Sequence, residues 1–399
     1  MTEDASVLPR GGSPLVLLAP NALKESLGVR AALGFMREGV LAACPEARII
    51  ECPLADGGDG LLEALVEGTG GQSVEVEVRD PLGRKIRSRY GVLPDGTAVI
   101  EMALASGLCL LTPGERDPLK TSSTGTGELI AAALVAGHRR FVIGLGGSAT
   151  NDGGMGAAQA LGFHFGDKEG RVLDSGTGEQ LGRVAAVDAS FALPELSDCH
   201  FHVACDVDNP LLGSQGCASI FAPQKGASAA EVLMLDRSMG SYADAVESSL
   251  DREKARDFPG SGAAGGMGFF FKAFLNAELL PGSRLIAESL GLEAQIAIAD
   301  LVLTCEGCLD AQTCKGKLPA EVARLCRRHG VPVVALAGIL KPGWEGLLEE
   351  GLSSAFALAP GPVTLATSMK EAGEYLQDLS GRVVALFQAT RKAHSRAEP

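Results

Sequence analysis

The 399-residue chain is long enough for two or three domains, each with a sizeable core. Its 46% hydrophobic and 21% charged residues lie near globular averages, which excludes a disordered or fibrous chain. A formal charge of −14, from 35 Lys and Arg against 49 Asp and Glu, argues against nucleic acid and anionic membrane surfaces as partners.

From the N-terminus, a polar tail over residues 1–14 is expected to be flexible. A buried strand over Leu15–Ala19 follows, then a helix that Ser26 can cap and Pro45 ends near Ala43. The strand Arg48–Cys52, the loop Ala55–Gly60 (ADGGDG) and the helix Leu61–Glu67 complete the opening of a parallel sheet. Ser73–Arg79 alternates polar and apolar residues, Asp80–Gly83 turns the chain, and Lys85–Leu93 and Thr97–Met102 continue as an antiparallel meander. Mixed helices and strands follow to about Leu280, with a long helix near Ala229–Leu250. The strand–helix grammar then returns with Asp300–Thr304, a helix over Pro319–Arg328, Pro332–Ala337 and Ser354–Leu358.

These elements predict an α/β protein of two domains. A doubly wound parallel sheet is built from both chain ends, 15–70 and 290–399, and a mixed α/β domain is inserted over 71–289. A cleft between them is the expected active site. Residues 1–14 lack the apolar core of a signal peptide, and no stretch approaches 18 uninterrupted apolar residues, so the expected location is cytoplasmic. The ten cysteines are too sparse for a disulfide scaffold. Cys44, Cys52, Cys109 and Cys199 read as small buried hydrophobes in a reducing compartment.

The 52 glycines are nearly twice the usual share of about 7%. They cluster in short runs between apolar segments, where backbone must approach a ligand closely. In Phe141–Gly156 (FVIGLGGSATNDGGMG) a strand runs into a glycine loop and then a helix. Amides of Gly146, Gly147, Ser148, Thr150 and Asn151 there suit a phosphate or carboxylate. The same stretch admits a rival reading, because Gly144-x-Gly146-x-x-Ala149 fits a dinucleotide fingerprint and Asp167 lies near the position of its ribose-binding acid. That reading predicts a nicotinamide-dependent oxidoreductase. Against it, Asn151–Gly154 interrupts what should already be helix, and Asp152 beside phosphates makes sense with Mg2+.

Three further clusters repeat the pattern: ADGGDG with Asp56, Gly57 and Gly58; Thr124–Glu128 (TGTGE); and Gly260–Gly268 with Gly265 and Gly266. In Ala204–Leu211 (ACDVDNPL), Asp206 ends a strand, with Asp208, Asn209 and, further on, Lys225. Asp206 there is placed as a general base or metal ligand, or as a loop-capping Asx turn. Lys24 follows the first strand, where its ammonium could reach a transferring phosphoryl group. Gly316-Lys317 lacks the other residues of a Walker A motif, with Ala311 in place of its first glycine. Cys305 and Cys308, with Cys314 and Cys326, have poor spacing for zinc or redox chemistry.

Taken together, the chain resembles the type I glycerate kinases along nearly its whole length, from Ala19 to about Gly338. The resemblance is carried by PLADGGDG (Pro53–Gly60), DPLGR (Asp80–Arg84), IEMALASGL (Ile100–Leu108), TGTGELI, GGSATNDGG, ACDVDNPL, APQKGA (Ala222–Ala227), GAAGGMG and EGCLDAQT (Glu306–Thr313) with Gly316-Lys317. It implies a flavodoxin-like domain and a mixed α/β domain, with ATP, Mg2+ and glycerate as ligands and phosphorylation more often at the 2-hydroxyl. It also implies that Asp206 or Asp56 takes the hydroxyl proton, that Asp152 and Asp56 serve Mg2+, and that Lys24 and Lys317 steady anionic charge. The glycines, Ser148, Thr150, Asn151, Asn209, Lys225, Glu306 and Asp310 would hold substrate. The partners implied are small molecules, with homo-oligomerisation left open.

Three positions depart from the family pattern: Asn21 replaces an acid, Cys308 an arginine and Cys305 a glycine. Asn21 and Cys308 also keep in view a non-catalytic descendant that binds nucleotide or a sugar acid.

Overall fold

A computed structural model describes residues 12–23, 26–54, 60–251 and 254–395. The expected tail therefore lies outside the described residues up to residue 11. Among the described residues thirteen strands follow in chain order: β1 (Leu15–Pro20), β2 (Arg48–Glu51), β3 (Gln72–Arg79), β4 (Lys85–Val92), β5 (Ala98–Glu101), β6 (Arg140–Gly144), β7 (His164–Gly166), β8 (Ala186–Asp188), β9 (His200–Ala204), β10 (Glu278–Leu280), β11 (Leu301–Leu309), β12 (Val333–Leu340) and β13 (Ser354–Ala357). The chain divides into two units, Met1–Asp56 with Ile286–Pro399, and Gly57–Leu285.

In the unit of the chain ends, five parallel strands stand in the order β13-β12-β11-β1-β2. Counted along the unit this is 2-1-3-4-5, the flavodoxin-like doubly wound order. The run LVLLAP gives β1 no polar side chain, and all six of its residues are buried, as a strand covered on both faces requires. The helix Val29–Ala43 buries Ala32, Leu33, Met36 and Val40 and packs against the last helix, Ala372–Ser395. Ser26 does not cap it. The helix starts after Gly28, and the Ser26 hydroxyl donates to the Met369 carbonyl at 2.7 Å instead.

In the inserted unit, six strands stand in the order β10-β9-β6-β5-β4-β3. β3, β4 and β5 form the antiparallel meander, and β5, β6, β9 and β10 run parallel. Register follows the alternation of β3, so that Val74, Val76 and Val78 face Tyr90, Ser88 and Ile86. A core rich in phenylalanine covers the sheet: Phe141 stacks on Phe201 at 4.7 Å between centroids, and Phe269, Phe270, Phe271 and Phe274 come from the helix Ala263–Leu275. The long helix Ala229–Leu250 opens with a capping box, in which Ser228 and Glu231 satisfy each other's amides. Such a cap contributes about 1 kcal/mol. Among the buried cysteines are Cys44 and Cys52, but Cys109 is exposed within a short 3-10 turn, and Cys199 is half-buried at the end of another.

Candidate functional sites

In the sheet of the chain ends the strand order reverses between β1 and β11. At such a switch point the connections leave in opposite directions and open a crevice at the carboxyl ends of the strands. Asn21 follows β1 there, and Glu306 lies on β11. The Asn21 Nδ2 donates to Glu306 Oε2 at 2.8 Å, and Asn21 Oδ1 accepts from the Ala22 amide at 2.8 Å, so both ends of the asparagine are engaged. The strands are stitched at this end by Asn21 N to the Cys305 carbonyl (3.0 Å) and Thr304 Oγ1 to the Ala19 carbonyl (2.8 Å).

Cys305 is buried, its thiol pushed well up by burial, and Cys308 is half-buried in register with Ile339. Asp310 Oδ1 accepts from Gln312 N, Thr313 N and Thr313 Oγ1 at 2.9, 3.0 and 3.2 Å. Burial pushes the Asp310 carboxyl up, but these donors and the charge of Lys317 outweigh it and hold it below the usual carboxylate range. Lys317 is exposed at the start of the helix Leu318–His329. Lys24, Asp56, Gly57 and Gly58 lie outside the described residues.

In the inserted unit the loop after β6 carries Gly146, Gly147 and Ser148. Gly146 is half-buried and Gly147 exposed, while Ser148, Thr150, Asn151 and Asp152 are buried. The loop is pinned from its flanks, by Leu108 N to the Gly147 carbonyl (2.8 Å), Ala149 N to the Ser106 carbonyl (2.9 Å) and Thr121 Oγ1 to the Ala149 carbonyl (3.0 Å).

Asp152 is wholly enclosed. Its Oδ2 accepts from Ser123 N and Ser123 Oγ, both at 2.7 Å, and from Gly156 N at 3.3 Å, and its Oδ1 accepts from Gly154 N at 3.2 Å. Burial raises the Asp152 carboxyl, with these donors opposing. Lys225 is also wholly enclosed, at 1% exposure, and its Nζ donates to Ser148 Oγ at 2.8 Å and to the Thr150 carbonyl at 2.6 Å. Burial pushes its ammonium down to about 8, against the pull of Cys217 and Asp152.

The remaining predicted residues divide by environment. Asp206 is exposed just past β9, its Oδ1 accepting from Gly282 N at 2.8 Å, and Asp208 is exposed two residues on. Asn209 is half-buried and its amide donates to the Gln215 carbonyl at 2.8 Å. Gly265 and Gly266 are buried with positive φ, and a Cβ on Gly265 would fall 2.0 Å from the Thr150 carbonyl oxygen. Thr124–Glu128, read from sequence as one of the glycine loops, is the first turn of the helix Thr124–Val135.

Two further residues stand among these contacts, one without a sequence signal and one with. Ser123 lies 29 residues from the carboxylate that it meets, and no local pattern announces that. Glu101 had a signal, an acid in the apolar run of β5. It accepts from Gly60 N at 3.2 Å and Leu62 N at 3.3 Å, receiving the amides at the start of the helix Leu61–Thr69.

The dinucleotide geometry is not met. The helix after β6 begins only at Met155, the sheet has no strand-order reversal, and Asp167 accepts from Glu169 N, Arg171 N and Arg171 Nε within its own turn. No helix among the described residues is long and apolar enough to cross a membrane.

Comparison with known proteins agrees with the fold. The model of the glycerate kinase family matches residues 16–388. A glycerate kinase of Bacillus subtilis is 41% identical over 377 residues, 94% of this chain and 98% of the relative. A glycerate 2-kinase of Escherichia coli is 40% identical over 93% of this chain and 97% of the relative. A crystal structure described as glycerate kinase 2 from Salmonella typhimurium LT2 superposes with a TM-score of 0.86 at 41% identity, covering 95% of this chain and 100% of that one. The nicotinamide-dependent oxidoreductase and the non-catalytic descendant find no support in these likenesses.

Proposed function

The chain belongs to the glycerate kinase family and is a phosphotransferase; from that premise we propose that it transfers the γ-phosphoryl group of ATP to D-glycerate, giving 2-phosphoglycerate, in the cytoplasm. The observation that carries the reading is the extent of the likeness, which runs through both units from residue 16 to residue 388. The relative named glycerate 2-kinase supports the 2-hydroxyl as acceptor.

Phosphoryl transfer asks a protein mainly to position groups and neutralise charge. In the inserted unit, Gly146, Gly147 and Ser148 offer a loop at the carboxyl end of a central parallel strand, suited to a phosphate or carboxylate. Asp206, exposed and oriented by the Gly282 amide, takes the proton of the attacking hydroxyl. In the unit of the chain ends, Lys317 supplies a cation beside Asp310, and Glu306 an oriented carboxylate at the switch point.

Mg2+ asks for only one or two protein carboxylates beside phosphate oxygens. Among the described residues no three His, Cys, Asp or Glu side chains form a metal cage, and the oxygens of Asp152 are taken by four donors, so Asp152 does not fit as a direct ligand. The exposed Asp208 fits, directly or through water. When bound, Mg2+ supplies charge neutralisation on the β- and γ-phosphates.

Phosphorus NMR of the protein with ATP, Mg2+ and D-glycerate tests the reading. Glycerate-dependent ADP with 2-phosphoglycerate is expected. Appearance of 3-phosphoglycerate would overturn the regiochemistry, and unchanged ATP would overturn the substrate.

A further inference from the structure

We propose that Lys225 is a positioning residue that acts through Ser148, fixing the serine hydroxyl as a hydrogen-bond donor to an oxyanion held at the Gly146–Ser148 loop. The inference rests on the phosphotransferase reading for the identity of that oxyanion, a phosphate of ATP or the carboxylate of glycerate.

Lysine is among the residues least often enclosed, and it is normally enclosed only when paired. Among the described residues no carboxylate stands within salt-bridge distance of Lys225. Its partners are a hydroxyl and a carbonyl of one loop, and the acid that it senses, Asp152, acts through space. Replacing a buried charged group by an apolar side chain of similar size is often neutral for stability, so core packing alone gives no reason for a lysine.

The hydrogen-bond chemistry gives one. An ammonium can only donate, so the Ser148 oxygen must accept from it, and the serine keeps its own proton for another partner. Among the described residues no acceptor takes that proton. Ser148 adjoins Gly147, the exposed residue of the loop. The second bond, to the Thr150 carbonyl, holds the same turn two residues on, and the enclosed ammonium lends its charge to the loop without being exposed there.

The test is a double-mutant cycle with Ser148→Ala, Lys225→Met and the combination, reading kcat, KM for ATP and KM for glycerate, together with thermal unfolding. Both single variants are expected to raise the KM of the same one substrate by about tenfold, the yield of one hydrogen bond to a charged group. That substrate names the oxyanion. The double variant should be no worse than the poorer single, and at about pH 7.5 Lys225→Met should unfold no earlier than wild type. Lys225→Gln, which keeps an N–H donor, should recover part of the loss.

Multiplying effects in the double variant, equal losses on both substrates, or failure of both Lys225 variants to fold would each make the lysine a prop for the core and overturn the inference. Calorimetry with inorganic phosphate reads the loop without turnover. A wild type that leaves glycerate unphosphorylated, yet loses phosphate affinity in either single variant and no further in the double, sinks the proposed substrate and keeps this inference. Active wild type with unaltered KM and phosphate affinity in every variant sinks this inference alone.

Discussion

The five-stranded sheet of the chain ends and the six-stranded sheet of the inserted unit both gather polar residues at the carboxyl ends of parallel strands, by different means. In the first, the reversal of strand order between β1 and β11 makes the crevice; Asn21 and Glu306 bond to each other across these two strands, and Asp310 is held by the donors of its own turn. In the second the parallel strands follow one another without reversal, so topology supplies no crevice. The loop after β6 is shaped instead by an enclosed carboxylate, an enclosed ammonium and glycines that let backbone segments touch. A site set by strand order should tolerate changes to single residues, whereas one set by a buried polar frame should register them in stability or in substrate binding.

The largest effect should come from alanine at two left-handed glycines. Gly265, at φ +70°, has the Thr150 carbonyl oxygen 2.0 Å from where a Cβ would stand, whereas Gly291, at φ +60° in the unit of the chain ends, has nothing within 4 Å among the described residues. Gly265→Ala combines left-handed strain with overpacking and should cost about 2–5 kcal/mol in urea unfolding. Gly291→Ala carries the strain alone, at about 1 kcal/mol. Equal costs would remove the contrast.

A smaller but sharper difference is expected from aspartate to asparagine. All the donors that Asp310 receives go to one oxygen, Oδ1, which an amide oxygen can replace, so Asp310→Asn should shift stability by less than about 1 kcal/mol. Asp152 receives donors on both oxygens, so either orientation of an amide turns an N–H toward an N–H. Asp152→Asn should therefore cost about 2–4 kcal/mol. A stable Asp152→Asn protein with a raised Mg2+ requirement would restore Asp152 as a metal ligand and undo its place in the frame.

The same contrast explains what could be read from the chain itself. Short apolar runs with turn signals disclosed the doubly wound sheet, and polar alternation in Ser73–Arg79 disclosed the meander, because burial on two faces or one leaves a direct imprint on residue pattern. The glycine clusters were visible, but their cause was not. Thr124–Glu128 and Gly265–Gly266 serve close packing of backbone, and a sequence does not distinguish a glycine that admits a ligand from one that admits a neighbouring carbonyl. Asp152 and Lys225 were legible as charged residues in glycine-rich surroundings. Their enclosure depends on partners such as Ser123 and Ser148, tens of residues away, that only the folded chain brings together.

The finest test of the buried frame is the pH dependence that Lys225 imposes on stability. Its ammonium is pushed down to about 8 by burial, with Cys217 and Asp152 as the charged or titratable neighbours that pull it back, while in the unfolded chain it titrates near the ordinary lysine value of 10.5. Between these values the unfolded chain binds more protons than the folded one, so this residue makes stability rise with pH through the window. Buried thiols give the opposite slope: Cys217, pushed up to about 12 by burial, stays protonated in the fold while the unfolded chain loses its proton. Wild type alone would show the sum, and the difference between wild type and Lys225→Met isolates the lysine. From about pH 7.5 to 9.5 wild type should gain about 1–2 kcal/mol on the variant in urea unfolding. A difference that stays flat over that range would mean that the lysine keeps its proton, and the frame beneath the loop would then hold a fixed charge rather than one that titrates near 8.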